Sequence, residues 1–253
     1  MRKNLLFITM LVFIGTSATA KEGMYLEFKM SGGKISGTSK SYSCNGNTRS
    51  ETSFINPLMN SPMTTVSLML KDAPDMMYTL NEQDKTYTER QTGKNDVRKG
   101  EEGEYEVTIV GKEQVDNYNC IHVKVRSGSS QHERDIWVSK DVAGWANYIS
   151  IRNTYLSGSR LFDALKAKGA EGCIVRLTTE GTNGGQMQMD LVKAEKRDVD
   201  ESIFSLAGYT KTASSMRPGG YGGVDAAQIQ KMTPEERQKY IDDMKAKYQQ
   251  QTH

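Results

Sequence analysis

Alternation governs most of the chain. In "MYLEFKM", Leu26, Phe28 and Met30 alternate with Tyr25, Glu27 and Lys29. In "TTVSLMLK", Val66, Leu68 and Leu70 alternate with Thr65, Ser67 and Met69, and in "MMYTL" the set is Met76, Tyr78 and Leu80. A period of two is that of a half-buried β-strand. "YEVTIV", "NCIHVKV", "RDIWVSK" (with Ile136 and Val138), "CIVRLTTEG" and "QMQMDLV" (with Met187 and Met189) continue the style, rich in Val, Ile and aromatic residues. About nine or ten antiparallel strands are predicted, making the fold mainly β. Between Cys44 and Phe54 lies Asn45-Gly46, suited to the positive φ angles of a tight hairpin turn. Its flanking runs carry few apolar residues and read as an edge or solvated pair.

One segment breaks the period. In "SGSRLFDALKAKGAEG", Leu161, Phe162 and Leu165 recur at helical spacing and Gly169 stands as a stop, which predicts a helix inserted among the strands. Residues 212–224, including "RPGGYGG", have the composition of a flexible linker. Beyond it, residues 225–253 form a helical tail, with Thr233 as N-cap, Pro234 at the first helical position and Glu236 completing a capping box. Ile241, Met244 and Tyr248 make a narrow apolar stripe, through which the tail would either dock, with a protein partner as one candidate, or remain a mostly solvated helix.

The first twenty residues follow a different logic: Arg2 and Lys3, an apolar run from Leu5 to Ile14, then Ala18-Thr19-Ala20. That order is a secretory signal peptide cleaved after Ala20. The apolar run is shorter than the ~20 residues of a membrane span, so the chain is not expected to span a bilayer. No cysteine follows the cleavage point for lipid attachment, and no Asn-x-Ser/Thr acceptor occurs, which points to the bacterial periplasm. The domain then begins at Lys21 and runs to Lys211.

Charge and chemistry narrow the function mostly by exclusion. Removing the signal leaves 31 Lys+Arg against 31 Asp+Glu. A balanced chain without a basic run argues against nucleic acid. Cys44, Cys120 and Cys173 in an oxidising compartment predict one disulfide of unknown pairing and one leftover thiol. His122, His132 and His253 are the only histidines, and no Cys or carboxylate stands at ligand spacing beside them. There is no nucleophile elbow, phosphate-binding loop or His-Glu-x-x-His, so neither an enzyme nor a bound cofactor is expected.

Four phrases occur in an order similar to that of an exported bacterial family of unknown function, family 4412. They are "VSLMLKDAPDMMYTLNEQDKTYTE", "GKEQVDNYNCIHVKV", "DIWVSKDVAG" and "DESIFSLAGY", and the resemblance they carry extends over most of residues 24–211. That family in turn resembles the lipoprotein carrier LolA and receptor LolB. The resemblance implies a strongly curved antiparallel sheet, an unclosed half-barrel, with a helix plugging its concave face. It carries no catalytic residues. Ala207 departs from the proline often found before the Gly-Tyr.

On this basis the expected function is binding of a hydrophobic ligand, a lipid, acyl chain or lipoprotein, in the concavity. Its candidate wall is Leu26, Phe28 and Met30 from the first strand, Val66, Leu68 and Leu70 with Met76, Tyr78 and Leu80 from the strand pair around Asp72–Asp75, and Ile136, Val138, Met187 and Met189 from the later strands. The same residues could instead be a packed core around Leu161, Phe162 and Leu165, leaving a structural or interaction module. A third reading takes Met59, Met63, Met187 and Met189 as soft thioether ligands of Cu(I).

Overall fold

The computed structural model describes residues 20–32, 35–56, 61–91, 104–127, 133–145, 159–180, 185–212 and 232–249. The signal-peptide run up to Thr19, Met59, His132, His253 and nearly all of the linker lie outside them. Twelve strands make one curved, unclosed sheet. In chain order they are β1 Ala20–Gly32, β2 Ile35–Cys44, β3 Asn47–Asn56, β4 Ser61–Leu70, β5 Ala73–Asn81, β6 Thr86–Gln91, β7 Tyr105–Val115, β8 Tyr118–Ser127, β9 Glu133–Ser139, β10 Cys173–Glu180, β11 Gln186–Asp200 and β12 Thr210–Lys211. Helix α1, Ser159–Ala167, interrupts the second meander, and helix α2 is Pro234–Gln249.

Two meanders, β1 to β6 and β7 to β11, meet along β1 and β11, giving the order β12-β6-β5-β4-β3-β2-β1-β11-β10-β9-β8-β7. All pairings are antiparallel except that of β12, which joins β6 in parallel. Local turn chemistry sets the register. Asn45 and Gly46 adopt φ of 52° and 83°, the doubly positive pair that a tight two-residue hairpin turn demands. Helix α1 ends as its sequence dictates: Gly169 takes φ 76°, its N–H donates to the Lys166 carbonyl, and the Ala170 N–H donates to the Leu165 carbonyl at 2.9 Å.

The sheet buries different faces in its two halves. Over β1 and β7–β11, Leu26, Phe28, Val123, Val125, Ile136, Val138 and Leu191 pack with Leu161, Phe162 and Leu165 of α1. We call this face inner. Cross-strand partners share a face, so register carries the assignment from strand to strand. Leu26 pairs with Ser41, Ser41 with Ser50, and Ser50 with Ser67. Tyr25 on the outer face pairs with Tyr42, Tyr42 with Arg49, and Arg49 with Leu68. The second core, Val66, Leu68 and Leu80, therefore lies outside.

A strap covers that outer core. After β11 the chain turns through a short 3-10 segment, Glu201–Phe204, and crosses to β6. Phe204 packs on Cys44 and Val199, while Leu206 and Tyr209 pack on Val66, Leu68 and Leu80. Asn45 Nδ2 donates to Glu201 at 2.5 Å, and Arg49 reaches the Ile203 carbonyl at 3.3 Å. Tyr209 Oη and Arg49 both donate to Glu82, each at 2.7 Å. The "DESIFSLAGY" phrase is this strap.

Glu82 gives the strap a pH dependence. Burial pushes its carboxyl up, but hydrogen bonds from Tyr209 and Arg49, with the charge of Arg49, outweigh burial and hold it below the ordinary 4.5. A lowered folded pKa contributes stability that is complete above the unfolded value and lost as pH falls through the folded one. Amide protection of residues 205–212, corrected for the intrinsic pH dependence of exchange, is therefore expected to be constant from neutrality down to the ordinary carboxylate range and to fall at lower pH. In Glu82→Gln that step should be absent.

The β2–β3 hairpin is not the solvated edge its composition implied. It sits inside the sheet, paired on both sides. Ser39, Ser41, Ser43, Thr48, Ser50 and Thr52 are all buried on the inner face. Ser39 and Thr52 hydroxyls meet at 3.3 Å, and Ser41 and Ser50 at 3.2 Å. Small hydroxyl side chains that satisfy one another can occupy the inside of a curved sheet where polarity alone predicts solvent.

The expected disulfide is also absent: Cys44, Cys120 and Cys173 are buried free thiols. Desolvation raises all three, Cys120 to about 11, so they are protonated and unreactive at neutral pH. They behave as small apolar residues of the two cores. In the tail, Thr233 N–H donates to Glu236 at 2.8 Å and Glu236 N–H returns to Thr233 Oγ1 at 3.2 Å, the expected capping box. Residues 233–239 are exposed. The side chains of Ile241, Met244 and Tyr248 lie outside the described residues. No helix among the described residues is long and apolar enough to cross a membrane.

Candidate functional site

Register divides the thirteen residues of the sequence-derived wall between two faces. Leu26, Phe28, Met30, Ile136, Val138, Met187 and Met189 lie inside. Val66, Leu68, Tyr78 and Leu80 lie outside beneath the strap, with Leu70 packed against the same cluster and Met76 on the Tyr78 side of β5. The six lie on the face opposite α1, five of them in or against the outer core, so the thirteen do not form one wall. The correction has a simple physical origin: alternation fixes which residues share a face of one strand, but not which face of the sheet that is.

The inner residues form a cross-strand row. Ile109 pairs with Val123, Val123 with Ile136, and Ile136 with Leu177. Leu177 pairs with Met189, Met189 with Met30, Met30 with Gly37, Gly37 with Phe54, and Phe54 with Met63. Burial changes along it. Val123 and Ile136 are fully buried, whereas Met189, Met30, Phe54 and Met63 are half-buried. Helix α1 thus packs on the part of the row around Val123 and Ile136, Ile109 beyond it is 51% exposed, and the methionine-rich remainder is half-buried. At strand spacings of about 4.8 Å, the stretch from Leu177 to Met63 spans roughly 24 Å. A single acyl chain, half of a ~30 Å hydrocarbon core, needs about 15 Å.

Beside this row polarity returns. Val107 pairs with Val125, Val125 with Arg134, Arg134 with Thr179, and Thr179 with Met187. Tyr105 pairs with Ser127 one step further out. The inner face of β7–β9 is mainly core, with Val107, Val123, Val125, Ile136 and Val138, and polar side chains enter it only at its margin, at Arg134, Ser127 and the Tyr105 hydroxyl.

One ionic cluster was not foreseen. His122, buried on the outer face, has Nδ1 at 2.8 Å from Glu113 and Nε2 at 2.7 Å from Asp135, and its ring stacks on Trp137 at 4.1 Å. Trp137 Nε1–H donates to the other Glu113 oxygen at 2.9 Å. Hydrogen bonds from Trp137 and then His122 hold Glu113 below the ordinary carboxylate range. Both imidazole nitrogens are occupied, so the cluster ties β7, β8 and β9 together and presents no ring nitrogen to a metal or substrate. Its carboxylates come from neighbouring strands. Spacing along the sequence could not find them, whereas strand register would have.

Among the described residues no group of three or more His, Cys, Asp or Glu is arranged to hold a metal. Met187 and Met189 share a face and Met189 faces Met30 across the β1–β11 pair, which brings together three thioethers, while Met63 stands three strands beyond Met30.

An unclosed antiparallel half-barrel with a helix against one end of its inner face is the class these elements define. The model of the family described as "Domain of unknown function (DUF4412)" matches residues 22–209, and the chain belongs to that family. A search of curated proteins finds no match. Similar solved structures include an uncharacterised conserved protein from Thermus thermophilus, at 7% identity over 76% of this chain and 90% of that one, with a TM-score of 0.44. A DUF1329 family protein from Desulfovibrio piger is 13% identical over 74% and 90%, with a TM-score of 0.33. A LolA superfamily protein from Nitrosomonas europaea is 14% identical over 72% and 90%, with a TM-score of 0.31.

Proposed function

We propose that this protein is an exported, non-catalytic binder of a hydrophobic ligand, a lipid or other long alkyl chain, held on the inner face of the half-barrel. The observation that carries the reading is the half-buried run Met189, Met30, Phe54 and Met63, continuous with a packed apolar core yet not closed over. Methionine is unbranched and polarisable, so such a wall accepts flexible chains of varied shape. Export rests on the signal-type N-terminus. A lipoprotein would present the same acyl chemistry.

Extraction of protein purified from the cell envelope, followed by lipid mass spectrometry, is expected to recover alkyl-chain material in near-stoichiometric amount. A fluorescent fatty acid should bind the stripped protein, and Met30→Glu or Met189→Glu should abolish that binding while leaving the fold intact. Protein that carries no lipid and binds no probe would overturn the reading.

A second reading, Cu(I) binding, is favoured by one observation only, the adjacency of Met30, Met187 and Met189. Three thioethers form a soft ligand set. Retention of Cu(I) against a competing chelator, lost on substituting Met187 and Met189 by leucine, would support it. Failure to hold micromolar Cu(I) removes it.

A further inference from the structure

Two hydroxyls are sealed in the protein without use. Ser127 Oγ and Tyr105 Oη are buried and have no hydrogen-bond partner among the described residues, and Ser127 as a whole is only 5% exposed. Almost every buried polar side chain in a folded protein finds a partner, because a hydroxyl withdrawn from water and left unpaired costs free energy. Here two such groups sit opposite one another on paired strands, on the same face. They stand where the apolar inner surface ends. Val125 is the next residue of the same strand on this face, and Arg134 pairs directly with it. Arg134 is therefore a diagonal neighbour of Ser127, within reach of a long side chain. Thr179 then links Arg134 to Met187.

We propose that Tyr105, Ser127 and Arg134 form the polar end of the ligand site and receive the anionic head group of a single-chain amphiphile whose alkyl chain lies along the methionine row. The proposal rests on the hydrophobic-ligand reading above and adds the chemistry of the ligand's other end. The three polar residues lie at the margin of the inner face, beside Val107 and Val125, and the apolar row runs from Leu177 on β10 across to Met63 on β4. Two hydroxyl donors and a guanidinium suit an oxygen anion, a carboxylate or a phosphate monoester, and the guanidinium makes the charge-assisted contact. Helix α1 packs against β7, the strand that carries Tyr105. The unpaired hydroxyls then gain in the complex the hydrogen bonds they lack without ligand.

The test uses the full-length mature chain, stripped of bound lipid, and calorimetric titration with dodecanoate, dodecyl phosphate and dodecanol below their aggregation limits. The anionic ligands are expected to bind at least about tenfold more tightly than dodecanol, the factor that corresponds to one charge-assisted hydrogen bond. Preference between dodecanoate and dodecyl phosphate identifies the head-group source. Arg134→Met and the double variant Tyr105→Phe/Ser127→Ala should each remove most of that advantage and leave dodecanol binding unchanged. The double variant should also melt at the same or a higher temperature than the wild type, because it deletes two hydroxyls that are unsatisfied without ligand. Equal affinity for dodecanoate and dodecanol in the wild type would overturn the head-group site while leaving the apolar reading intact. Absence of binding by all three would overturn both. A double variant that melts lower would show that the hydroxyls serve the fold and would also overturn the proposal.

Discussion

Replacing Phe204 with alanine is expected to cost about 3 kcal/mol and to detach the strap from the outer face. Phe204 is 4% exposed and anchors a small cluster with Cys44 and Val199. Truncating a buried phenylalanine ordinarily costs about 3–5 kcal/mol, and a small cluster near the surface can relax toward the lower limit. The consequence extends beyond the cavity. Leu206, Tyr209 and β12 follow Phe204 along the chain and have no other route to β6. Once Phe204 is lost, Val66, Leu68 and Leu80 lose their cover. Urea denaturation should show the lower stability, and hydrogen exchange should show faster exchange confined first to residues 201–212 and β4–β6. A loss under 1 kcal/mol with unchanged protection would mean that the strap is held by its polar contacts alone.

The second large effect is expected at the other core. Leu161 on α1 is fully buried among Leu26, Phe28, Ile136 and Val138. Leu161→Ala should lower stability by about 3–5 kcal/mol. It should also affect binding in the opposite direction. If ligand entry requires α1 to move, the bound form is a minority conformation, and weakening the helix's packing raises its population and the apparent affinity. A less stable protein that takes up a fluorescent fatty acid faster or more tightly is the expected combination. Lower stability with unchanged binding would identify α1 as a plain core element.

Much of the architecture was legible because strands announce themselves by parity. The alternations around Leu26, Val66, Tyr78, Ile136 and Met189 are all strands, and the helical recurrence of Leu161, Phe162 and Leu165 is the helix packed on the inner face. Asn45-Gly46 and the Thr233–Glu236 box also did what their chemistry requires. What the sequence withheld was everything decided between strands. Val66 and Leu26 are equally apolar and equally buried, yet they belong to opposite faces, because the polar residues Ser41 and Ser50 carry the inner face through β2 and β3. A protein with two cores on one sheet defeats the assumption that apolar residues face a common interior. Glu113 and Asp135 reach His122 only through strand pairing. The free thiols follow the same rule, since cysteine count sets what could pair and only geometry decides what does.

The candidate site was half legible for the same reason. Met30, Met187 and Met189 stand among the thirteen wall residues that alternation suggests and Met63 among the candidate thioethers, whereas Phe54 joins them only through the register of β2, β3 and β4. Tyr105 and Ser127 carry no motif. Their significance lies in being buried and unpaired, a property of the folded chain alone.

Methyl NMR of methionine-labelled protein tests the central claim most directly, because the methionines report separately on the two faces. On adding dodecanoate to the stripped protein, the methyl signals of Met30, Met187, Met189 and Met63 should shift and that of Met76 on the outer face should not. Shifts at Met76, or an unperturbed inner set at saturating ligand, would contradict the account.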